Sequence, residues 1–310
     1  MRWLARVLAL ALVLAAGAGA AQQAPAKLAL VIGNADYNLD GVVDGSRAGV
    51  EKSGADGFAQ DLPNAEHDAI DVRDALTQLG YDVDFLQNAD LTRLQAGLRR
   101  LLDRATAAPD AKIVVYYAGH GVKVDGFPYI IPVGVRTPSA LPGYSRVIRA
   151  EPDRQVQAAM RAVALSVGDL LSGLPASSGE GFSLVMIDSC GNNPWYKFDA
   201  AHWSISDIYH GFMEDTFRDV PMAAGVVATF SAGSGAAGDG LGRNSPFVTA
   251  LKVHIGDPTL PVGALVAVTV AELARLTEGK QEPAVLQGGR KGPQNIVDVG
   301  RRCVAVCSGP

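Results

Sequence analysis

The sequence predicts an α/β fold with a mostly parallel sheet of about six strands and helices on both of its faces. Short apolar runs alternate along the chain with longer stretches whose apolar residues recur at helical spacing. Alternating strand and helix patterns are typical of β-α-β units, which build parallel sheets. The first run, KLALVIG, is apolar without alternation, as expected of a strand that is buried on both faces.

The elements follow in chain order from these patterns. Strand runs lie at residues 27–33, 81–86, 112–118, 181–187 and 225–230, and a short last strand is expected at 284–286. Helical spacing predicts helices at 63–79, 91–102, 167–174, 246–253 and 262–276. Residues 133–161, which are rich in Arg and Pro, are predicted to be irregular, and residues 231–244 to form a glycine-rich loop.

Composition excludes several classes of protein. The 310 residues are 48% apolar and 19% charged, which excludes an intrinsically disordered chain. The 27 basic and 32 acidic residues give a net charge of −5, and no basic cluster suggests nucleic acid as a partner. Three cysteines without a C-x-x-C pair fit neither a disulfide scaffold nor a structural zinc site. A globular protein with a large core remains, and its oligomeric state is left open.

The first 21 residues have the pattern of a secretory signal peptide. Arg2 and Arg6 precede an apolar run from Val7 to Ala16, and small residues continue to Ala21. The uncharged stretch of about 15 residues is shorter than the roughly 20 needed to span a bilayer, although an uncleaved anchor stays as the alternative. Cleavage leaves 25 basic and 32 acidic residues, a net charge of −7. We expect an exported protein, periplasmic or secreted, with no further membrane span.

Three regions depart from the regular pattern around the expected domain at 27–287. Residues 36–61 form an acidic insertion, for which a solvated loop is favoured over a calcium site because no D-x-[DN]-x-[DN]-G order of an EF-hand loop is recognised. Residues 191–220 form a long loop with several aromatic residues. In the tail at 288–310, Cys303 and Cys307 either close a small disulfide or stay as free thiols.

A histidine and a cysteine follow two of the predicted strands. His120 stands in Gly119-His120-Gly121 after the third strand, and Cys190 follows the fourth. The carboxyl ends of neighbouring parallel strands meet at one edge of a sheet, where ligands bind. A thiol with its ordinary pKa near 8.5 needs a base such as imidazole to act as a nucleophile at neutral pH. The backbone N–H groups of Gly121 and Cys190 are candidate oxyanion donors.

The chain resembles the caspase-like cysteine peptidases, the group that contains caspases and metacaspases, and especially their bacterial exported members. The matching segments run in the family's order over about residues 27–287 and are LALVIGN (28–34), LPNA with Asp68 (62–68), YYAGHG (116–121), YIIPV (129–133), IDSC (187–190), NNP (192–194), GDG (238–240) and NSPF (244–247). The resemblance implies a caspase-type sheet with the His120–Cys190 dyad at its carboxyl edge, hence a cysteine endopeptidase that acts on peptides or proteins without a cofactor.

The same resemblance bears on specificity. Metacaspases cleave after Arg or Lys and place acids in the S1 pocket, one of them two residues before the nucleophile and one on the first helix. Asp188 and Asp68 occupy these positions. The alternatives are that Asp188 only supports the cysteine loop and that Asp68 is solvated on its helix. Ala118 and Ala65 replace the Ser and Cys of metacaspase pockets, and Gly191 stands where many bacterial relatives have Arg.

Other functions fit the sequence less well. The GSGAAG segment at 233–238 matches the glycine order of dinucleotide sites, but it follows the fifth strand and no helix begins there. The five histidines lack the spacing of a zinc hydrolase, and calcium enters only as a candidate activator. The main rival is a catalytically silent caspase-like protein that binds a partner, because fold alone does not determine function. Retention of both His120 and Cys190 favours the peptidase.

Overall fold

The computed structural model describes residues 26–43, 61–124, 126–135, 154–177, 179, 181–189, 220–234, 242–257 and 259–288. The predicted signal peptide, most of the acidic insertion, nearly all of the 191–220 loop and the tail with its two cysteines lie outside these residues. Cys190 lies outside them as well. No helix within the described ranges is long and apolar enough to cross a membrane.

The described residues form nine strands and six helices. In chain order these are β1 (Lys27–Gly33), α1 (Pro63–Gln78), β2 (Asp82–Gln87), α2 (Leu91–Ala107), β3 (Lys112–Ala118), β4 (Gly121–Val124), β5 (Phe127–Ile130), α3 (Arg154–Val163), β6 (Leu165–Ser166), α4 (Val167–Gly173), β7 (Phe182–Asp188), β8 (Val226–Ser234), α5 (Pro246–His254), α6 (Val262–Leu276) and β9 (Glu282–Gln287). The main sheet has the strand order β2-β1-β3-β7-β8-β9. Its first five strands are parallel and β9 is antiparallel, which confirms the predicted mostly parallel sheet of six strands.

Two apolar layers cover the main sheet, one on each face. On one face, residues of β1, β3 and β7 that point the same way pack against α2 and α4, with Leu94 and Leu170 fully buried. On the other face, the alternate residues of the same strands pack against α1, α5 and α6, with Ala69 and Phe247 fully buried. Strands buried on both sides read as continuous apolar runs, which is why the sequence predicts them well.

A second, three-stranded sheet with the order β4-β5-β6 was not predicted. Its strands have two to four residues, too few to show a clear period of two. Two other expectations were wrong. Residues 154–161 were expected to be irregular, but they belong to α3, whose Met160 is fully buried against the small sheet. The expected loop at 231–244 begins later, because β8 continues to Ser234 through a register shift against β9.

Candidate active site

The ends of β3 and β7 lie side by side in the middle of the main sheet. Ala118, the last residue of β3, pairs with Asp188, the last residue of β7. The Gly119 N–H then donates a hydrogen bond of 3.3 Å to the Asp188 carbonyl oxygen. This bond holds together the two segments that lead to His120 and to Cys190. The structure therefore places His120 two residues beyond one strand end, and Cys190 follows the adjacent strand end by two residues in sequence.

Two tyrosines fix the backbone of half-buried His120. The His120 N–H donates to the Tyr37 hydroxyl at 2.7 Å, and the Tyr117 hydroxyl donates to the His120 carbonyl oxygen at 2.6 Å. The two hydroxyl groups are 3.0 Å apart, and both contact the Ile131 carbonyl at 3.2 Å. The Tyr37 ring also packs on the imidazole, with 4.4 Å between ring centroids and a tilt of 58°. A network of buried hydrogen bonds thus positions the histidine.

Gly119 is required by the geometry of this turn. Its φ of +151° lies in the region that residues with side chains rarely adopt. A Cβ at this position would lie 2.5 Å from the Tyr117 hydroxyl oxygen and 2.6 Å from that of Tyr37. Because Gly119 has no side chain, the two tyrosine hydroxyl groups can lie close to the backbone immediately before His120.

The Gly121 N–H is turned away from the small sheet. Gly121 pairs with Ile130 across the antiparallel β4–β5 ladder, and the Ile131 N–H donates to the His120 carbonyl at 3.0 Å. This pattern makes Gly121 and Ile130 a non-hydrogen-bonded pair, so the Gly121 N–H does not donate to β5. A backbone donor that the ladder does not use follows directly after His120.

Asp68 and Asp188 lie close together near the ends of β3 and β7. The family resemblance assigns both acids to one pocket. Ser245 links them: its hydroxyl donates to Asp188 Oδ2 at 2.6 Å, and its N–H reaches both Asp68 oxygens at 3.1 and 3.2 Å. Asn244 Nδ2 donates to Asp68 Oδ1 at 2.9 Å, and the Tyr116 hydroxyl lies 3.5 Å from Asp188 Oδ2. The alternative of a solvated Asp68 is excluded, since Asp68 is 1% exposed, and Asp188 is 7% exposed.

The two buried acids repel each other through their negative charges. Burial, and then the charge of Asp188, raise the pKa of Asp68 to about 7, although hydrogen bonds from Asn244 and Ser245 favour its ionised form. Burial, followed by the nearby carboxylates, also raises the pKa of Tyr116 well above its ordinary value. Strongly perturbed carboxyl groups occur often at functional sites. The pair holds a proton up to about neutral pH.

Sequence reasoning missed Tyr37 and Ser245 as members of this site. Ser245 carried a signal, because Ser before Pro246 is typical of a helix start, and its hydroxyl does accept the Val248 N–H at 3.1 Å as the cap of α5. Its second bond, to Asp188, joins residues 57 positions apart and has no local signal. Tyr37 meets His120 across 83 positions and likewise has none.

Comparison with known proteins assigns this chain to a family. A family model described as the caspase domain, of a peptidase family, matches residues 26–291. The chain belongs to the caspase-domain family. No curated protein matches it. Among solved structures, caspase-1 from Spodoptera frugiperda is similar, with a TM-score of 0.48 and 13% sequence identity over 85% of this chain and 86% of that one. This caspase-domain protein thus carries the fold of a cysteine-type peptidase family.

Proposed function

We propose that the protein is a cysteine endopeptidase in which Cys190 is the nucleophile and His120 the general base. The observation that carries this proposal is the fixed position of His120 beside the end of β7, the strand that leads into Cys190 two residues later. The His120 backbone is held on both sides, by the Tyr37 and Tyr117 hydroxyl groups. Such fixed placement favours catalysis, which needs the base within hydrogen-bond reach of the nucleophile.

The reaction follows from the chemistry of these two groups. His120 accepts the Cys190 proton, and the thiolate attacks the carbonyl carbon of the scissile peptide bond. Collapse of the tetrahedral intermediate breaks the C–N bond, and the imidazolium gives its proton to the leaving amine. Water then hydrolyses the thioester and restores the thiol. Because thiol and imidazole supply nucleophile, acid and base, the hydrolysis itself uses no cofactor.

Backbone donors stabilise the charge that develops on the carbonyl oxygen. The Gly121 N–H supports this role because the β4–β5 ladder leaves it unused directly after His120. The Cys190 N–H is the second proposed donor. Donors that are fixed in advance, as Gly121 is by the start of β4, stabilise a transition state without the cost of reorganisation.

The substrate specificity we propose is cleavage after Arg or Lys. Asp188 ends β7 two residues before Cys190, and Asp68 lies against it through Ser245. Because Asp68 keeps its proton to about pH 7, the pair is a site where a cationic side chain can take the place of that proton as the counter-charge between the two carboxylates. A neutral or acidic side chain offers no such compensation, and leaving a buried charge unpaired is costly.

We further propose that the protein acts outside the cytoplasm on peptide or protein substrates. The signal pattern of residues 1–21 supports export. An acidic mature chain without basic clusters gives no support for nucleic acid as a substrate.

Hydrolysis of fluorogenic peptides that end in Arg, Lys or Asp tests this proposal. We expect turnover of the Arg and Lys peptides, and losses of at least 1,000-fold in kcat/KM for Cys190→Ala and for His120→Ala, because the two groups act as one unit. The matched control is His254→Ala at the far end of α5, which should keep full activity. Activity of either dyad variant within about threefold of the wild type would contradict the assignment.

A further inference from the structure

Three carboxylates gather in the loop that follows β1. Asp36, Asp40 and Asp61 each place an oxygen within 4.8 Å of the others. Asp36 is 8% exposed and Asp61 1%, whereas Asp40 is exposed. Like charges this close repel one another, and burial strengthens the repulsion because water screens it less. A positive charge at the centre of the cluster would offset this repulsion.

No described lysine, arginine or histidine pairs with these three acids. Asp61 accepts from the Tyr37 and Asn38 N–H groups and from the Asn38 amide, and Asp40 Oδ1 accepts from the Val42 N–H. Asp36 Oδ2 accepts from the Gly41 N–H at 3.0 Å. The other oxygen, Asp36 Oδ1, is wholly buried and has no hydrogen-bond partner. A buried carboxylate oxygen without a partner requires an explanation, and a bound ion is one.

The sequence of this loop is the first half of a calcium-binding loop. Residues 36–41 read DYNLDG, the D-x-[DN]-x-[DN]-G order in which positions one, three and five supply side-chain oxygens and position six is Gly. Gly41, at position six, has the left-handed φ of +81° that the sharp turn needs. Position twelve, where the complete pattern has Glu, is Arg47. Asp61, two residues before α1, supplies a carboxylate from elsewhere in the chain.

We propose that Asp36, Asp40 and Asp61 bind one divalent cation of the calcium class. Calcium takes hard oxygen ligands at 2.3–2.6 Å, so two oxygens on opposite sides of one ion lie up to about 5 Å apart. The three carboxylate oxygens fall within that span. The ion neutralises the cluster and provides a partner for Asp36 Oδ1. The pattern adds the Asn38 side-chain oxygen and the Val42 backbone carbonyl, at positions three and seven, as further ligands.

The cation site is joined to His120 through one residue. Asp61 Oδ1 accepts the Tyr37 N–H at 2.9 Å, and the Tyr37 hydroxyl accepts the His120 N–H at 2.7 Å. Cation binding therefore orders the segment that carries Tyr37 and stabilises the position of the histidine. This consequence rests on the proposed peptidase function, whereas the binding site itself does not.

Terbium luminescence and calorimetry on the full chain carrying Cys190→Ala test the binding site. This variant separates binding from turnover, and the Tyr37 ring beside the site can sensitise bound Tb³⁺. We expect a luminescence signal that Ca²⁺ displaces, with a calcium Kd between about 10⁻⁵ and 10⁻³ M. Asp40→Asn and Asp36→Asn should each raise that Kd at least tenfold. The matched control is Asp103→Asn on the exposed face of α2, which removes the same charge and should leave the Kd unchanged.

Thermal unfolding supplies a second readout. Calcium should raise the Tm of the Cys190→Ala protein, since a ligand that binds only the folded state stabilises it. It should raise the Tm of the variant that carries both Cys190→Ala and Asp40→Asn much less. In EDTA, Asp40→Asn should unfold at the same temperature or higher, because it relieves repulsion. Absence of calcium binding up to 10 mM, or equal affinity in Asp40→Asn and Asp103→Asn, would overturn the site. Binding without any effect of calcium on peptide hydrolysis by the wild type would overturn only the link to His120.

Discussion

The raised pKa of Asp68 makes a quantitative prediction about stability. The folded protein keeps the Asp68 proton to about pH 7, whereas the unfolded chain releases it near pH 3.8. Between these values the folded state binds more protons, so the free energy of unfolding falls as the pH rises through this window. A difference of about three pH units at ~1.4 kcal/mol each corresponds to up to about 4 kcal/mol.

Asp68→Asn should remove this pH dependence. The Asn oxygen can still accept from the Ser245 and Asn244 N–H groups, so the local structure is kept. We expect urea unfolding to show that the wild type loses several kcal/mol more than the variant between pH 4 and pH 8, with the variant the more stable at pH 8. Asp103→Asn is the control, and it should follow the wild type. Parallel stability curves for the wild type and Asp68→Asn would refute the account of a buried, proton-sharing pair.

Further predictions concern the residues around the dyad. Gly119→Ala should abolish activity and destabilise the fold in thermal unfolding, since its Cβ would meet two hydroxyl oxygens, whereas Gly263→Ala, with open space around it on α6, should unfold no earlier than the wild type. Tyr37→Phe leaves the His120 N–H without its acceptor, at a cost of about 1–3 kcal/mol, and should lower kcat more than it raises KM. Asp188→Asn should reduce the preference of kcat/KM for Arg over Asp peptides by roughly 30-fold or more, and a library profile unchanged by it would exclude the acidic pocket. N-terminal sequencing of the exported protein should begin near Ala21, and an intact Met1 on a membrane-bound protein would contradict export.

The regular part of the fold could be predicted because burial on both faces leaves a plain sequence pattern. Strands β1 and β3 and helix α6 have the predicted bounds. Helix α3 was missed because its apolar positions, Val156, Met160 and Val163, stand next to an irregular stretch rich in Arg and Pro. The β4–β5 hairpin was missed because four-residue strands show little periodicity.

The residues of the candidate site could likewise be predicted only in part. The family resemblance assigns Asp68 and Asp188 to one pocket, and the structure shows that both acids contact Ser245, whereas their role in binding substrate stays a prediction. Tyr37 could not be predicted, since its role depends on a contact that only the fold creates. The expectation that residues 36–61 lack the D-x-[DN]-x-[DN]-G order was wrong, since residues 36–41 read DYNLDG. The proposed place of Asp61 in the cluster could not be predicted, because Asp61 lies far from this order in sequence.

Covalent labelling of Cys190 tests the central claim most directly. The mature protein is incubated with an irreversible peptidyl electrophile that ends in Arg, and its intact mass and modified peptide are measured. We expect one adduct, on Cys190, that forms in the wild type, is slowed at least 100-fold in His120→Ala, and does not form with the matching electrophile that ends in Asp. Labelling of Cys190 at an equal rate in His120→Ala, or modification of Cys303 or Cys307 instead, would contradict it.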